Sequence, residues 1–125
     1  MVDLWRERDL RDSGARRLLE AHPGETFVVP AHAAGEFLEG GAAVSAERLA
    51  QSLVFLELFR IGRVDLETAR QYATLVSELR KRSVLSGRSK PDLWIAAWAV
   101  QHGAPLATRN LRHFEGIPRL ELLPY

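Results

Sequence analysis

A helix, a glycine stop, a short strand and a polar turn follow one another in the last third of the chain, and this order constrains the fold more than any other feature. The helix begins after Ser89, carries Asp92 in its first turn and ends at Gly103. Residues 105–108 predict a strand, which Asn110 follows in a polar turn. In an α/β layout, Asp92 and Asn110 would lie at adjacent strand ends, where such folds keep their sites.

Length and composition set the class of protein. A chain of 125 residues with 46% hydrophobic and 26% charged residues is typical of one soluble domain with a sizeable core. It has no apolar run of about 18 residues, so no membrane span is expected. It has no cysteine, which excludes disulfides and thiolate metal sites and fits a cytoplasmic protein. Any metal would need oxygen or histidine ligands.

Helix and strand signals alternate from the start of the chain. Residues 4–9 predict a helix, and Ser13 can cap a second one that ends at the His-Pro-Gly turn of residues 22–24. The apolar run 26–29 predicts a buried strand. Pro30 can then open the next helix, because proline is well suited to a first helical turn.

Two adjacent glycines, Gly40 and Gly41, are the predicted stop of the helix after Pro30. Ser45 caps a further helix. Its apolar positions recur every three to four residues, at Leu49, Leu53, Leu56 and Phe59. Residues 59–64 then predict a very short strand.

A long helix capped by Asp65 occupies the middle of the chain and ends in the basic run 80–82. Its predicted apolar stripe consists of Leu66, Ala69, Tyr72, Ala73, Val76 and Leu79. One helical turn over Leu111–Phe114 and a strand near 120–123 complete the chain. Helical connections between strands favour a small parallel sheet with helices on its faces.

Asp92 is the first candidate for chemistry, as a metal-binding carboxylate at the mouth of the sheet. Local sequence also explains it without chemistry, because Ser89 and Asp92 have the spacing of a capping box. Pro91, just inside the helix start, supports the same capping interpretation.

Glu36 is a second candidate, because it stands in a segment of small and apolar residues. Burying its charge would be expensive unless it were paired or bound to a cation. The alternative is the exposed face of an amphipathic helix, and Glu39 lies three residues further on.

Three further residue types have two interpretations each. Asn110 can bind a metal-bound water or a phosphate oxygen, or cap the next helical turn. His113 can touch RNA or be a surface or supporting residue. Trp94 and Trp98, four residues apart, can stack bases or belong to the core or a dimer interface.

Net charge is only +1, so local charge is more informative about nucleic acid than total charge. Arg88 and Lys90 precede Asp92, while Arg109 and Arg112 flank Asn110. Cations beside acids suit a phosphate backbone held close to carboxylates, although solvated surface arginines give the same pattern.

The run Asp92-Leu93-Trp94-Ile95-Ala96-Ala97, followed by a strand and Thr108-Arg109-Asn110, resembles the C-terminal motif of PIN-domain ribonucleases, especially toxins of the VapC type. The resemblance covers most of the chain. It implies an α/β fold, a PIN-like three-layer α/β/α arrangement with a small parallel sheet, in a single domain of residues 1–125.

The resemblance also implies roles for the candidates. Asp-x-x-Ile-Ala-Ala is where PIN domains place a catalytic acid, here Asp92, and their strand–small-residue–Glu pattern carries a second acid, here Glu36. Family members carry Asp or Asn at the position of Asn110. Glu36 and Asp92 would then bind Mg²⁺ or Mn²⁺, with Asn110 assisting, Thr108 supporting and His113 nearby. The candidates for the RNA backbone are Arg88, Lys90, Arg109 and Arg112.

The N-terminus departs from the family pattern. PIN domains begin with a strand ending in Asp-Thr-Asn or Asp-Ser-Asn, and then a helix similar to residues 2–6 of this chain. The first strand and first acid are therefore expected to be absent, and Asp3 is a poor substitute. A start codon set too late explains this better than a decayed gene, because the match continues to the C-terminus. Weak or absent cleavage is expected from this form.

The function implied by the resemblance is a metal-dependent endoribonuclease, the toxin of a toxin–antitoxin pair, with RNA and a cognate antitoxin as partners. A homodimer is also expected through apolar helical faces, which include Trp5, Leu49, Leu53, Leu56 and Phe59. The alternative is a catalytically incompetent PIN-like module that binds an antitoxin or itself. A small α/β phosphohydrolase is disfavoured because the chain has no glycine-rich phosphate loop.

Overall fold

The computed structural model describes residues 14–125, so the predicted helix over 4–9 and the cap at Ser13 lie outside the described residues. Short strands alternate with helices along this part of the chain. In chain order the elements are α1 Gly14–Ala21, β1 Val28–Pro30, α2 Ala31–Val44, α3 Ala46–Leu56, β2 Arg60–Gly62, α4 Leu66–Lys81, α5 Lys90–His102, β3 Leu106–Thr108, α6 Leu111–Phe114 and β4 Leu122–Pro124.

The elements divide into two compact units. The N-terminal unit ends at Arg63 and also includes Tyr125, and the C-terminal unit spans Val64–Pro124. Each unit contains one pair of parallel strands. β1 pairs with β2 so that Val29 lies opposite Ile61, and β3 pairs with β4 so that Ala107 lies opposite Leu123. Helices connect the strands of each pair, as the sequence predicts for parallel pairing.

The N-terminal unit corrects the predicted glycine stop. α2 continues through Gly40 and Gly41 to Val44. Gly41 is buried, and a Cβ atom there would lie 2.6 Å from Ser52 Oγ and 3.2 Å from the Arg48 carbonyl oxygen. The glycine therefore allows α2 and α3 to approach closely, and this tertiary contact explains why it lies inside the helix.

Ser45 caps α3 as predicted, since its hydroxyl accepts a hydrogen bond from the Arg48 amide at 3.0 Å. The core of this unit consists of Val29, Ala34 and Leu56, against which partly buried aromatic and aliphatic side chains pack. Of the predicted α3 stripe, Leu56 is buried and Leu53 is 51% exposed.

The C-terminal unit begins with a complete capping box. Asp65 accepts from the Thr68 amide, and the Thr68 hydroxyl accepts from the Asp65 amide, each at 3.1 Å. Gln101, on α5, donates to the Asp65 carboxylate at 3.0 Å and so ties the two helices together. The predicted α4 stripe is partly wrong, because Leu66 is 85% exposed while Leu75 is fully buried.

α4 and α5 enclose the larger core. Its buried residues are Leu75, Leu79, Leu93, Ala96, Ala97, Phe114 and Ile117. Trp94 stacks on Tyr72 with ring centroids 4.3 Å apart, and Trp98 is buried beside the His102 ring. Both tryptophans therefore pack within the unit, which agrees with the core interpretation.

Candidate functional site

Asp92 lies in the first turn of α5, where the chain leaves the loop through Ser89. The Ser89 hydroxyl accepts a hydrogen bond from the Asp92 amide at 3.2 Å, so Ser89 caps the helix. The carboxylate of Asp92 points elsewhere. Its Oδ2 lies 3.1 Å from His113 Nδ1, and its side chain is 24% exposed. Capping by Ser89 therefore leaves the Asp92 carboxylate for a different contact.

His113 lies on the one-turn helix α6 and is the side chain that meets Asp92. Its own side chain is 58% exposed, so solvent reaches the pair. The sequence interpretation placed His113 near the site without a partner. In the structure this partner is Asp92. The contact is made by Asp92 Oδ2 and not by the second carboxylate oxygen, Oδ1.

Thr108 and Asn110 stand at the end of β3, directly before α6. Thr108 is buried, and its hydroxyl accepts a hydrogen bond from the Asn110 amide at 3.0 Å. The Asn110 carbonyl in turn accepts from the His113 amide at 3.1 Å. Asn110 is the N-cap residue of α6, but its side chain makes no capping hydrogen bond. The exposed amide side chain is thus not used as a cap.

Glu36 lies in the second turn of α2 in the N-terminal unit, whereas Asp92 belongs to the C-terminal unit. The Glu36 side chain is exposed, as is that of Glu39 one turn later. Its charge is therefore not buried, and no cost of burial has to be offset.

His32 lies on the same helix, four residues before Glu36. Burial lowers the pKa of His32, which favours the neutral ring.

The four candidate cations differ in their surroundings. Lys90, Arg109 and Arg112 are exposed, whereas Arg88 is half-buried. The Arg88 guanidinium donates to backbone carbonyls of Val84, His113 and Glu115. No signal in the local sequence predicts these contacts, since two of the three acceptors lie more than 20 residues away along the chain.

Among residues 14–125, no group of three or more His, Asp or Glu side chains is arranged to hold a metal ion. Mg²⁺ keeps several waters and needs only one or two protein carboxylates. The Asp92 carboxylate, with one oxygen fixed by His113, fits that smaller requirement. Oxygen donors of this kind suit Mg²⁺ or Mn²⁺ better than softer metals.

The chain matches the PIN domain family over residues 1–120. It is 33% identical over 117 residues to Ribonuclease VapC1 of Methanocaldococcus jannaschii, an alignment that covers 93% of this chain and 81% of the relative. The chain belongs to the PIN domain family.

Two solved structures are similar to this chain in fold. The structure of VapBC2 from Rickettsia felis, bound to a DNA fragment from its promoter, is similar with a TM-score of 0.74 and 26% identity, covering 89% of this chain and 82% of that one. DNA-bound VapBC from Salmonella typhimurium shares the fold with a TM-score of 0.82 at 19% identity, covering 96% and 90%. The predicted PIN-like α/β fold is confirmed.

None of the helices in the described part of the chain is both long and apolar enough to cross a membrane.

Proposed function

We propose that this protein is a metal-dependent endoribonuclease and the toxin of a type II toxin–antitoxin pair. The observation that carries the proposal is the Asp92 carboxylate, which is left unused by the helix cap and oriented by His113 at 3.1 Å. The similarity of the chain to a protein named Ribonuclease VapC1 supports RNA cleavage as the reaction. RNA as the substrate favours a cytoplasmic location.

In this proposal Glu36 and Asp92 bind one Mg²⁺ or Mn²⁺ ion, directly or through water. Such an ion, when bound, lowers the pKa of a coordinated water and stabilises charge on the phosphate. Asp92 provides an oxygen whose direction His113 fixes. Asn110 offers an uncharged amide for a coordinated water or a phosphate oxygen, and Thr108 holds the Asn110 backbone in place.

RNA binding is assigned to the four candidate cations that lie next to Asp92 or Asn110 in the sequence. Lys90, Arg109 and Arg112 are exposed on the C-terminal unit, so their charges are accessible to a phosphate backbone. Arg88 adds positive charge to the same region, but its guanidinium is already hydrogen-bonded to the protein backbone. Because Lys90, Arg109 and Arg112 are more exposed than Arg88, we expect these three cations to contribute most to the salt dependence of RNA binding.

A cognate antitoxin and a second copy of the chain are the proposed protein partners. The antitoxin is supported by solved relatives that are toxin–antitoxin complexes, such as VapBC2 from Rickettsia felis. Large apolar side chains on and after α3 are exposed in the described chain, including Val54 at 64% and Leu58 at 74%. Surfaces of this kind are typical of protein interfaces.

A binding module without catalysis is the second candidate. It is favoured by the observation that residues 14–125 contain no cluster of three or more candidate metal ligands. In that case the chain would bind an antitoxin or itself and leave RNA intact.

Cleavage of a structured RNA, with Mg²⁺ or with EDTA, separates the two candidates. We expect weak cleavage that requires the metal and falls to background in Asp92→Asn and in Glu36→Gln, because both carboxylates are proposed to hold the ion that stabilises the transition state. Glu39→Gln is the matched control and should cleave like the wild type. Antitoxin or self binding with no metal-dependent cleavage would favour the module.

A further inference from the structure

Arg88 joins two parts of the C-terminal unit that carry candidate site residues. Its backbone lies directly before Ser89, the cap of α5. Its side chain reaches across to α6, where Nη1 donates to the His113 carbonyl at 3.0 Å and Nη2 donates to the Glu115 carbonyl. Nε donates to the Val84 carbonyl at 3.0 Å, which fixes the near end of the side chain.

These contacts serve a local need of α6. The last carbonyls of a helix have no partner within the helix, and α6 is a single turn over Leu111–Phe114. Arginine is suited to this task because its planar guanidinium presents several donors in a fixed arrangement. Arg88 thus anchors the end of α6 to the loop that leads into α5.

Gly116 forms the turn directly after α6. It has a φ of +77°, a backbone conformation that favours glycine. A Cβ atom at this position would lie 3.4 Å from Arg88 Nη2, which is ordinary van der Waals contact. The turn therefore explains the glycine, and the guanidinium lies against this turn.

The same residue whose carbonyl Arg88 binds also presents its ring to Asp92. His113 Nδ1 lies 3.1 Å from Asp92 Oδ2. A continuous set of contacts therefore runs from Arg88 through the backbone of His113 to the Asp92 carboxylate. Residues that orient a metal-binding carboxylate through a second contact commonly change metal affinity by about 10- to 100-fold when removed.

We propose that Arg88 is a positioning residue, which fixes α6 so that His113 holds the Asp92 carboxylate in the direction required for a divalent cation. This inference rests on the proposed function for its metal, but the positioning itself concerns contacts within the protein. It gives Arg88 a different role from the exposed cations near it.

The first arm of the test uses metal-free protein. Nuclear magnetic resonance of the His113 ring is recorded for the wild type, for Arg88→Met and for Asp92→Ala, which defines the signals of a ring without its carboxylate. We expect the His113 ring signals of Arg88→Met to move towards those of Asp92→Ala. Arg70→Met, which removes an arginine paired with Glu67 on the surface of α4, is the matched control and should leave them unchanged.

The second arm measures Mn²⁺ affinity by titration of the same proteins. We expect Arg88→Met to weaken binding by about tenfold, at the lower end of such effects. Arg88→Lys should recover little, because an ammonium cannot bridge the same carbonyls. It also serves as the milder variant if Arg88→Met folds poorly. Because Arg88 acts through His113, the double variant Arg88→Met, His113→Ala should bind Mn²⁺ no more weakly than the single variant with the lower affinity.

The two arms separate this inference from the proposed function. Unchanged His113 ring signals in both Arg88 variants, or affinity losses that multiply in the double variant, would overturn the positioning role. A wild type that does not bind Mn²⁺ would contradict the proposed function instead. The ring signals of the metal-free proteins would still decide what Arg88 does.

Discussion

The two units of the described chain differ in how completely they bury apolar side chains. In the C-terminal unit, Leu75 and Leu79 are fully buried between α4 and α5. In the described part of the N-terminal unit, the core residues Val29, Ala34 and Leu56 keep 5–8% exposure. That unit also carries most of the exposed large hydrophobic residues: Val44, Leu53, Val54, Leu58 and Ile61.

The two proposed metal ligands therefore have different supports. Asp92 projects from a helix that is capped at its start, buried along one face and tied to α4 by Gln101. A carboxylate on such a support keeps its direction, as metal binding requires. Glu36 belongs to the described N-terminal unit, which buries its core less completely and also presents exposed apolar side chains.

The largest effect expected is on the core of the C-terminal unit. Leu79→Ala should lower the free energy of unfolding by about 3–4 kcal/mol, because a fully buried leucine leaves a cavity. Leu56→Ala, in the less enclosed core, should cost about 2–3 kcal/mol. Urea unfolding measures both, with the 74%-exposed Leu58→Ala as the control. A larger loss in Leu56→Ala would reverse the comparison.

Gly40 and Gly41 of α2 provide a matched pair, because their replacement by alanine should change stability in opposite directions. Gly41→Ala should lower stability by about 1–3 kcal/mol, because its Cβ would lie 2.6 Å from Ser52 Oγ and close to the α3 backbone. Gly40→Ala meets nothing within 4 Å and should raise stability by up to about 1 kcal/mol through helix propensity. Thermal unfolding of the two variants tests this. Equal effects would mean that α2 and α3 are not in close contact.

A smaller, pH-dependent effect is expected at Asp65. Hydrogen bonds from the Thr68 amide and from Gln101 hold the pKa of Asp65 below its usual value. The folded state therefore binds this proton less readily than the unfolded state. The resulting stabilisation is present above the unfolded-state pKa and is lost as pH falls through the lower folded-state pKa.

Asp65→Asn removes that pH-dependent contribution. The stability difference between wild type and variant should be largest near neutral pH and should shrink on acidification to about pH 3. Urea unfolding at several pH values measures it. A difference that stays constant across this range would show that the carboxylate is not stabilised in the folded state.

Much of the fold could be predicted because helix starts are encoded locally. Ser45, Asp65 and Ser89 each cap the helix that the sequence assigned to them. The predicted stop at Gly40 and Gly41 was wrong because a contact with Ser52, distant in sequence, decides what Gly41 does. The residues around Gly41 in the sequence do not predict this contact between α2 and α3.

The same distinction applies to the candidate site. A short sequence motif identifies Asp92 and Asn110 as candidates. The sequence alone cannot decide whether Asp92 caps the helix or binds a ligand. The structure shows that Ser89 is the cap, because its hydroxyl accepts a hydrogen bond from the Asp92 backbone amide. The contact of His113 with Asp92 depends on where α6 is placed. Arg88 anchors α6 from 25 residues away, which is beyond any local pattern.

The assignment of Glu36 and Asp92 to one metal ion remains a prediction and is the central claim of the proposed function. Mn²⁺ affinity in the wild type, Glu36→Gln, Asp92→Asn and the double variant tests it most directly, with Glu39→Gln as the control. If both carboxylates bind one ion, each single variant should weaken binding by at least about tenfold and the double variant little further, since either loss ends chelation. Normal affinity in Glu36→Gln, together with loss in Asp92→Asn alone, would contradict the account.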